Sequence, residues 1–115
     1  MLIIWHNPRC SKSRQTLALI EASGKSHTIR RYLDDRPNAE EIDQILRELG
    51  FEDPKAIMRK GEAIYKDLDL KSKNEKQLLI EVMAENAILI ERPIVTNGKK
   101  AIIGRPPEAV LPLLR

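Results

Sequence analysis

The chain has a single cysteine, no long apolar run and no recognisable motif for binding a metal or a nucleotide. With one cysteine among 115 residues it cannot form an internal disulfide, so nothing implies an oxidising compartment. No apolar run approaches the roughly 20 residues that cross a bilayer. No cluster of His, Cys, Asp and Glu has metal-ligand spacing, and no GxGxxG or P-loop pattern occurs. We therefore expect no bound metal or cofactor.

Composition and charge describe an ordinary globular chain. Apolar residues make up 42% of it and charged residues 32%, and the length suits one domain, 1–115, with one core. The net charge of +3 fits a small anionic substrate, and we predict no nucleic-acid partner. The start, Met1–Trp5, is short and lacks a positive region, which favours a first strand over a signal peptide. We expect a cytoplasmic protein that does not bind membranes.

The first third of the chain predicts a strand, a helix and a second strand. Leu2–Trp5 is a short apolar run, and Ser11–Ala22 is typical of a helix that ends at Gly24. Thr28–Leu33 is predicted as the second strand. This order within about 30 residues predicts a right-handed crossover and a parallel pair. The helix residues predicted to face the core are Leu17, Leu19 and Ile20.

The middle of the chain is predicted to be helical from about residue 38 to residue 86. Asn38 and Glu41 have the spacing of a capping box. Further helix starts are predicted at Asp53-Pro54 and at Asn74. The apolar stripes of the first and last of these helices are Ile42, Ile45, Leu46 and Leu49, then Leu78, Leu79, Val82 and Met83.

The last part of the chain predicts a β-hairpin and a closing helix. Ile94–Thr96 and Ala101–Ile103 flank Asn97-Gly98, which is a strong hairpin signal. A helix is predicted from Pro106-Pro107, and its core residues are predicted to be Val110, Leu111 and Leu114. The whole order is β-α-β, a helical insert, then β-β-α. It predicts an α/β, thioredoxin-like fold around a mixed sheet with an inserted helical subdomain.

The turn between the first strand and the first helix carries the candidate chemistry. His6, Cys10 and Arg14 are spaced as H-x3-C-x3-R, and Cys10 stands where the helix begins. Unpaired backbone amides at a helix start stabilise a thiolate and can cradle an oxyanion. Arg9 and Lys12 add positive charge. Such settings lower a cysteine pKa from about 8.5 to roughly 3.5–7.5, so Cys10 is predicted to be a nucleophile.

Plainer interpretations of these residues exist. A lone cysteine is often a small buried hydrophobe, but the cationic and titratable neighbours of Cys10 favour a reactive thiol. His6 is either a proton-transfer group or a solvated side chain at a strand end. Both interpretations of His6 stay open on the sequence alone.

Four segments of the chain resemble the glutaredoxin-linked arsenate reductases, a family of ArsC/Spx-like proteins in the thioredoxin-like superfamily. The resemblance covers essentially the whole chain, the helical insert included. One segment is the turn around Cys10, and the others contain three arginines. The segments are His6–Leu17, Ala56–Lys60, Glu91–Val95 and Gly104–Glu108.

The resemblance implies a role for each matching residue. It implies that Cys10 attacks arsenate, that Arg59, Arg92 and Arg105 surround the oxyanion, and that the bond from Arg92 to Pro93 is cis. It also implies glutathione as a co-substrate and glutaredoxin as a partner, in a reaction that reduces arsenate to arsenite and serves arsenic detoxification. Taken singly, Arg59 could equally cap a helix and Arg105 could be a surface cation. Planar guanidinium groups nevertheless suit a tetrahedral oxyanion.

The chain departs from the patterns of related proteins at two positions, and these departures bear on the alternative functions. Ser11 stands where many members of this family have glycine, which bears on the geometry of the loop. Position 13 is serine, so Cys10 lacks the C-x-x-C partner of thioredoxins and of Spx-type regulators that bind RNA polymerase. The predicted function is arsenate reduction. The alternatives are a glutathione-dependent thiol reductase without physiological arsenate activity and a non-enzymatic Spx-type regulator.

Overall fold

The computed structural model describes residues 1–115, which divide into two units. The first unit consists of Met1–Asp35 together with Arg92–Arg115. The second unit, Arg36–Glu91, is helical and contains the segment of about 38–86 for which the sequence predicts an insert. No helix in either unit combines the length and the apolar composition that crossing a membrane requires.

A four-stranded mixed sheet organises the first unit. Its strands are β1 (Leu2–Trp5), β2 (His27–Arg30), β3 (Ile94–Thr96) and β4 (Ala101–Ile103), in the order β2-β1-β3-β4. Helix α1 (Ser11–Ser23) connects β1 to β2, which pair in parallel as predicted. β1 and β3 are antiparallel, and so are β3 and β4. The predicted thioredoxin-like order, β-α-β and then β-β with a closing helix, is confirmed.

One face of the sheet forms the core of this unit. Leu2 and Ile4 of β1 and Val95 of β3 pack with Ile20 of α1 in one buried cluster. The cluster is completed by Val110 and Leu113 of the C-terminal 3-10 helix. α1 is therefore held against the sheet, and its first turn lies directly after the end of β1.

The C-terminal helix differs from its prediction. Pro107–Leu114 is a 3-10 helix, and Pro112 lies inside it. A 3-10 helix has three residues per turn, so residues three apart share a face. Val110 and Leu113 are buried accordingly, whereas Leu111, predicted for the core, is exposed. The prediction of a core position for Leu111 assumed an α-helical period and was wrong.

Two further element boundaries differ. β2 ends at Arg30 rather than Leu33, because the carbonyl oxygen of Arg31 accepts hydrogen bonds from the amides of Asp34 and Asp35 and turns the chain. The last long helix begins at Lys76, without a side-chain cap at its start. Asn74, predicted to open it, instead accepts a hydrogen bond from Lys55 Nζ at 3.1 Å.

The helical unit contains α2 (Ala39–Leu49), α3 (Ala63–Asp67) and α4 (Lys76–Glu85). The capping box at the start of α2 is confirmed: Asn38 Oδ1 accepts from the Glu41 amide, and Glu41 Oε1 accepts from the Asn38 amide. Short α3, which the sequence does not signal, lies between two 3-10 turns. The buried residues of α2 and α4 are Ile42, Ile45, Leu46, Leu79, Ile80 and Met83.

Candidate active site

Cys10 is the residue immediately before the first turn of α1. Its backbone is extended, with φ −96° and ψ 122°, and it occupies the N-cap position. Its carbonyl oxygen accepts a hydrogen bond from the Arg14 amide, and its own amide donates to the Asn7 carbonyl oxygen. Cys10 is 7% exposed, and no acidic residue lies in the first turn of the helix. This is the position that the sequence predicts for it.

Two arginines from the second half of the unit reach the same sulfur. Arg105 Nη2 donates to Cys10 Sγ at 3.5 Å, and Arg105 Nε donates to the carbonyl oxygen of Arg92 at 2.7 Å. The guanidinium of Arg92 also donates to the Cys10 thiolate, and its Nε and Nη1 are buried. The bond from Arg92 to Pro93 is cis, as the resemblance implies, and so is the bond from Arg105 to Pro106. Arg92 and Arg105, which follow Cys10 by 82 and 95 positions in the chain, thus meet it in space.

The electrostatics of this turn favour the thiolate. Burial raises the pKa of the Cys10 thiol, but hydrogen bonds from the Ser13 amide, the Arg92 guanidinium and the Lys12 amide outweigh burial, so the pKa lies below its ordinary value. Both amides belong to the first turn of α1, where backbone N–H groups have no partner within the helix. These donors favour the thiolate over the thiol, and they are also the groups that bind an oxyanion.

His6 belongs to the same turn but contacts a different residue. It is 6% exposed, and its Nδ1 forms a 2.6 Å hydrogen bond with Ser13 Oγ, which also accepts from the Asn7 amide at 3.0 Å. Burial lowers the pKa of His6, and the charges of Arg31 and Arg14 lower it further. Both effects favour the neutral ring, which is bonded to the loop through Ser13, and a proton-transfer role for His6 stays a prediction. The solvated strand-end interpretation does not fit a ring that is buried and bonded.

The remaining predicted residues have separate contacts. Arg14 Nη1 donates to the Pro8 carbonyl oxygen at 3.0 Å, which closes the loop over the helix start. Arg59 lies in the helical unit, where its Nη1 pairs with Glu62 Oε2 at 2.7 Å. Its role as an oxyanion ligand stays a prediction. No group of three or more His, Cys, Asp or Glu side chains is arranged to hold a metal ion.

Gly104 allows the loop with Arg105 to approach α1. Its amide donates to the Pro93 carbonyl oxygen at 2.9 Å. A Cβ at this position would lie 2.5 Å from Thr16 Oγ1 and 2.8 Å from Pro93 Cγ, both closer than packed atoms tolerate. Only glycine therefore fits here without displacing its neighbours.

Ser13, Thr16 and Gly104 are site residues that sequence reasoning missed. Ser13 and Thr16 are fully buried on the face of α1 where an apolar stripe was expected. Thr16 Oγ1 donates to the Lys12 carbonyl oxygen at 2.8 Å, and Ser13 bonds the loop as described above. The available signal was their spacing: positions 13 and 16 follow Cys10 at intervals of three, on one side of the helix.

Comparisons with known proteins agree on one family. The model of the ArsC family matches residues 5–113. An arsenate reductase of Haemophilus influenzae is 46% identical over 114 residues, which cover 98% of each chain. An arsenate reductase of Neisseria meningitidis serogroup A is 40% identical over 93% of this chain and 92% of its own.

A solved structure agrees in shape as well. The arsenate reductase from Vibrio cholerae superposes with a TM-score of 0.91 at 46% sequence identity, over 96% of this chain and 95% of that one. The sequence, the fold and the position of the turn that contains Cys10 all agree with these relatives. The chain belongs to the ArsC family.

Proposed function

We propose that this chain is an oxidoreductase that reduces arsenate to arsenite through a thiol-arsenate adduct on Cys10. The observation that carries the proposal is the placement of one activated sulfur between the helix-start amides and the guanidinium groups of Arg92 and Arg105. A tetrahedral oxyanion is attracted to the same donors that stabilise the thiolate. Relatives with 40–46% identity that are named arsenate reductases support this choice of oxyanion.

In the first step, a sulfur lone pair of Cys10 forms a bond to arsenic. One arsenate oxygen leaves with its bonding pair and with protons, as water. Arg105 and Arg92 compensate the negative charge of the remaining oxygens and keep the arsenic atom near the sulfur. The neutral His6 and its partner Ser13 hold the loop in place during this step.

The rest of the cycle needs thiols from outside the chain. Cys10 is the only cysteine, and the thioethers of methionine cannot act as thiolates. We propose that glutathione displaces a second oxygen as water and binds arsenic through its sulfur. A glutaredoxin thiolate then attacks the glutathione sulfur, and the S–As bonding pair stays on arsenic, which passes from arsenic(V) to arsenic(III). Water finally displaces Cys10 and releases arsenite.

A coupled assay tests the proposal. Purified protein is mixed with arsenate, glutathione, glutaredoxin, glutathione reductase and NADPH, and arsenate-dependent NADPH oxidation is measured. We expect turnover by the wild type, none by Cys10→Ser, and almost none when thioredoxin and its reductase replace the glutathione system. Since a chain with one cysteine offers thioredoxin no internal disulfide, efficient turnover with thioredoxin alone would overturn the scheme.

The same assay separates the alternatives. Reduction of glutathione mixed disulfides without any response to arsenate would instead support a glutathione-dependent thiol reductase. Absence of both activities, with copurification of RNA polymerase, would support an Spx-type regulator. The proposed activity would serve arsenic detoxification in the cytoplasm.

A further inference from the structure

The net charge of +3 hides an uneven distribution between the two units. The first unit contains eleven Lys and Arg against four Asp and Glu, a net charge of +7. The helical unit contains nine Lys and Arg against thirteen Asp and Glu, a net charge of −4. The unit that carries the thiol is therefore strongly basic, well beyond what the total suggests.

Part of this positive charge surrounds Cys10 at the surface. Arg9, Lys12, Arg14 and Arg105 are all exposed, and we call these four residues the basic rim. Arg9 and Lys12 flank the cysteine in the sequence, Arg14 is bonded to the loop at Pro8, and Arg105 is bonded to the sulfur. Arg9, Lys12 and Arg14 form no ion pair with an acidic side chain.

The basic rim contains more cationic side chains than are needed to bind a small oxyanion at the sulfur. Arg92 and Arg105 already donate to the sulfur, whereas the side chains of Arg9 and Lys12 project into solvent. Exposed charges of one sign around a reactive group act over a distance: they raise the rate of encounter with an oppositely charged surface and orient it. A buried cysteine such as Cys10, which is 7% exposed, gains most from such orientation, because few directions of approach reach it.

We infer that the basic rim is a docking surface for a protein reductant whose reactive cysteine is bordered by Asp and Glu side chains. The inference rests on the proposed function, which requires an external thiol. The docked thiolate attacks the glutathione sulfur, forms a disulfide with it, and leaves the bonding pair on the atom to which glutathione was bound. That atom is arsenic in the full cycle and Cys10 sulfur in a mixed disulfide of Cys10 with glutathione.

The mixed disulfide allows a test that does not need arsenate. Cys10 is first converted to its disulfide with glutathione, and its release by glutaredoxin is measured by intact mass as a second-order rate constant. The variants are Arg9→Glu, Arg9→Lys and, as a matched control, Lys25→Glu. Lys25 is an exposed lysine of the same unit beyond the far end of α1, which at about 1.5 Å per residue is roughly 20 Å long.

We expect Arg9→Glu to lower the rate constant about 3- to 10-fold at low ionic strength, with the difference disappearing in high salt. Arg9→Lys and Lys25→Glu should stay close to the wild type. Release by dithiothreitol, whose attacking thiolate is small and carries a single charge, should differ much less among the four proteins. Equal rates with glutaredoxin would overturn the docking surface, and so would an equal loss with dithiothreitol. Failure of the proposed function appears separately, as absence of arsenate turnover in the coupled assay.

Discussion

Arg105 donates from Nη2 to the sulfur of Cys10 at 3.5 Å, although 95 positions separate the two residues in the chain. The same guanidinium is anchored at its Nε by the carbonyl oxygen of Arg92, at 2.7 Å. A planar group that is bonded on one edge to the backbone presents its other edge in a fixed direction. The antiparallel hairpin of β3 and β4 brings both arginines back to the start of α1.

Replacing either arginine with alanine should impair arsenate turnover. Hydrogen bonds from charged groups contribute about 1.5–3 kcal/mol, so we expect kcat/KM to fall roughly 10- to 100-fold in Arg105→Ala. Arg105→Lys should restore only part of it, because lysine keeps the charge but loses the fork. Arg115→Ala removes one exposed arginine as a control and should behave as wild type. Normal kcat/KM in Arg92→Ala and Arg105→Ala would show that neither guanidinium group contributes to turnover.

Substitution of Gly104 should lower the free energy of unfolding, because this residue lies against α1 next to the site. Gly104→Ala places a Cβ against Thr16 and Pro93, and such overpacking costs about 1–3 kcal/mol in the free energy of unfolding. Gly61→Ala is the matched control, since a Cβ there would meet nothing within 4 Å. Urea denaturation of the two variants measures the difference. Equal stability of Gly104→Ala and Gly61→Ala would show that the loop shifts without cost.

The buried His6 should make the protein less stable in mild acid. Burial lowers the pKa of His6 in the folded state, so the unfolded chain takes up the proton first as the pH falls below about 6.5. The free energy of unfolding should therefore decrease between pH 7.5 and pH 5.5. His6→Gln should show a smaller decrease than the wild type, and His27→Gln serves as the control for removal of a histidine. The same decrease in His6→Gln and in wild type would contradict the assignment.

Local signals in the sequence account for much of the fold. The capping box of Asn38 and Glu41 and the hairpin at Asn97-Gly98 depend on neighbours only a few residues apart, and both are present. The core face of the C-terminal helix was mistaken because an α-helical period was assumed, although Pro112 inside Pro107–Leu114 disfavours a regular α-helix. Short α3 was missed because five residues are too few for a periodic pattern.

The site was predictable only where it depends on residues that are close together in the sequence. The position of Cys10 at a helix start follows from local sequence, whereas its contacts with Arg92 and Arg105 were available only through a family resemblance. The partner of His6 is Ser13, on the next element, and the sequence pattern gives no reason to pair them. Polar residues on a predicted apolar face, as at Ser13 and Thr16, are the sign that such a contact exists.

The pH dependence of Cys10 alkylation tests the central claim, that this thiol is an activated nucleophile. Iodoacetamide reacts with the thiolate, and because Cys10 is the only cysteine, all of the cysteine alkylation detected by mass spectrometry belongs to it. Hydrogen bonds from the helix-start amides and Arg92 lower the pKa of Cys10, so the midpoint of the rate profile should lie below the free-thiol value of about 8.5. In Arg92→Ala the midpoint should move upward. A wild-type midpoint at or above about 8.5 would contradict the account.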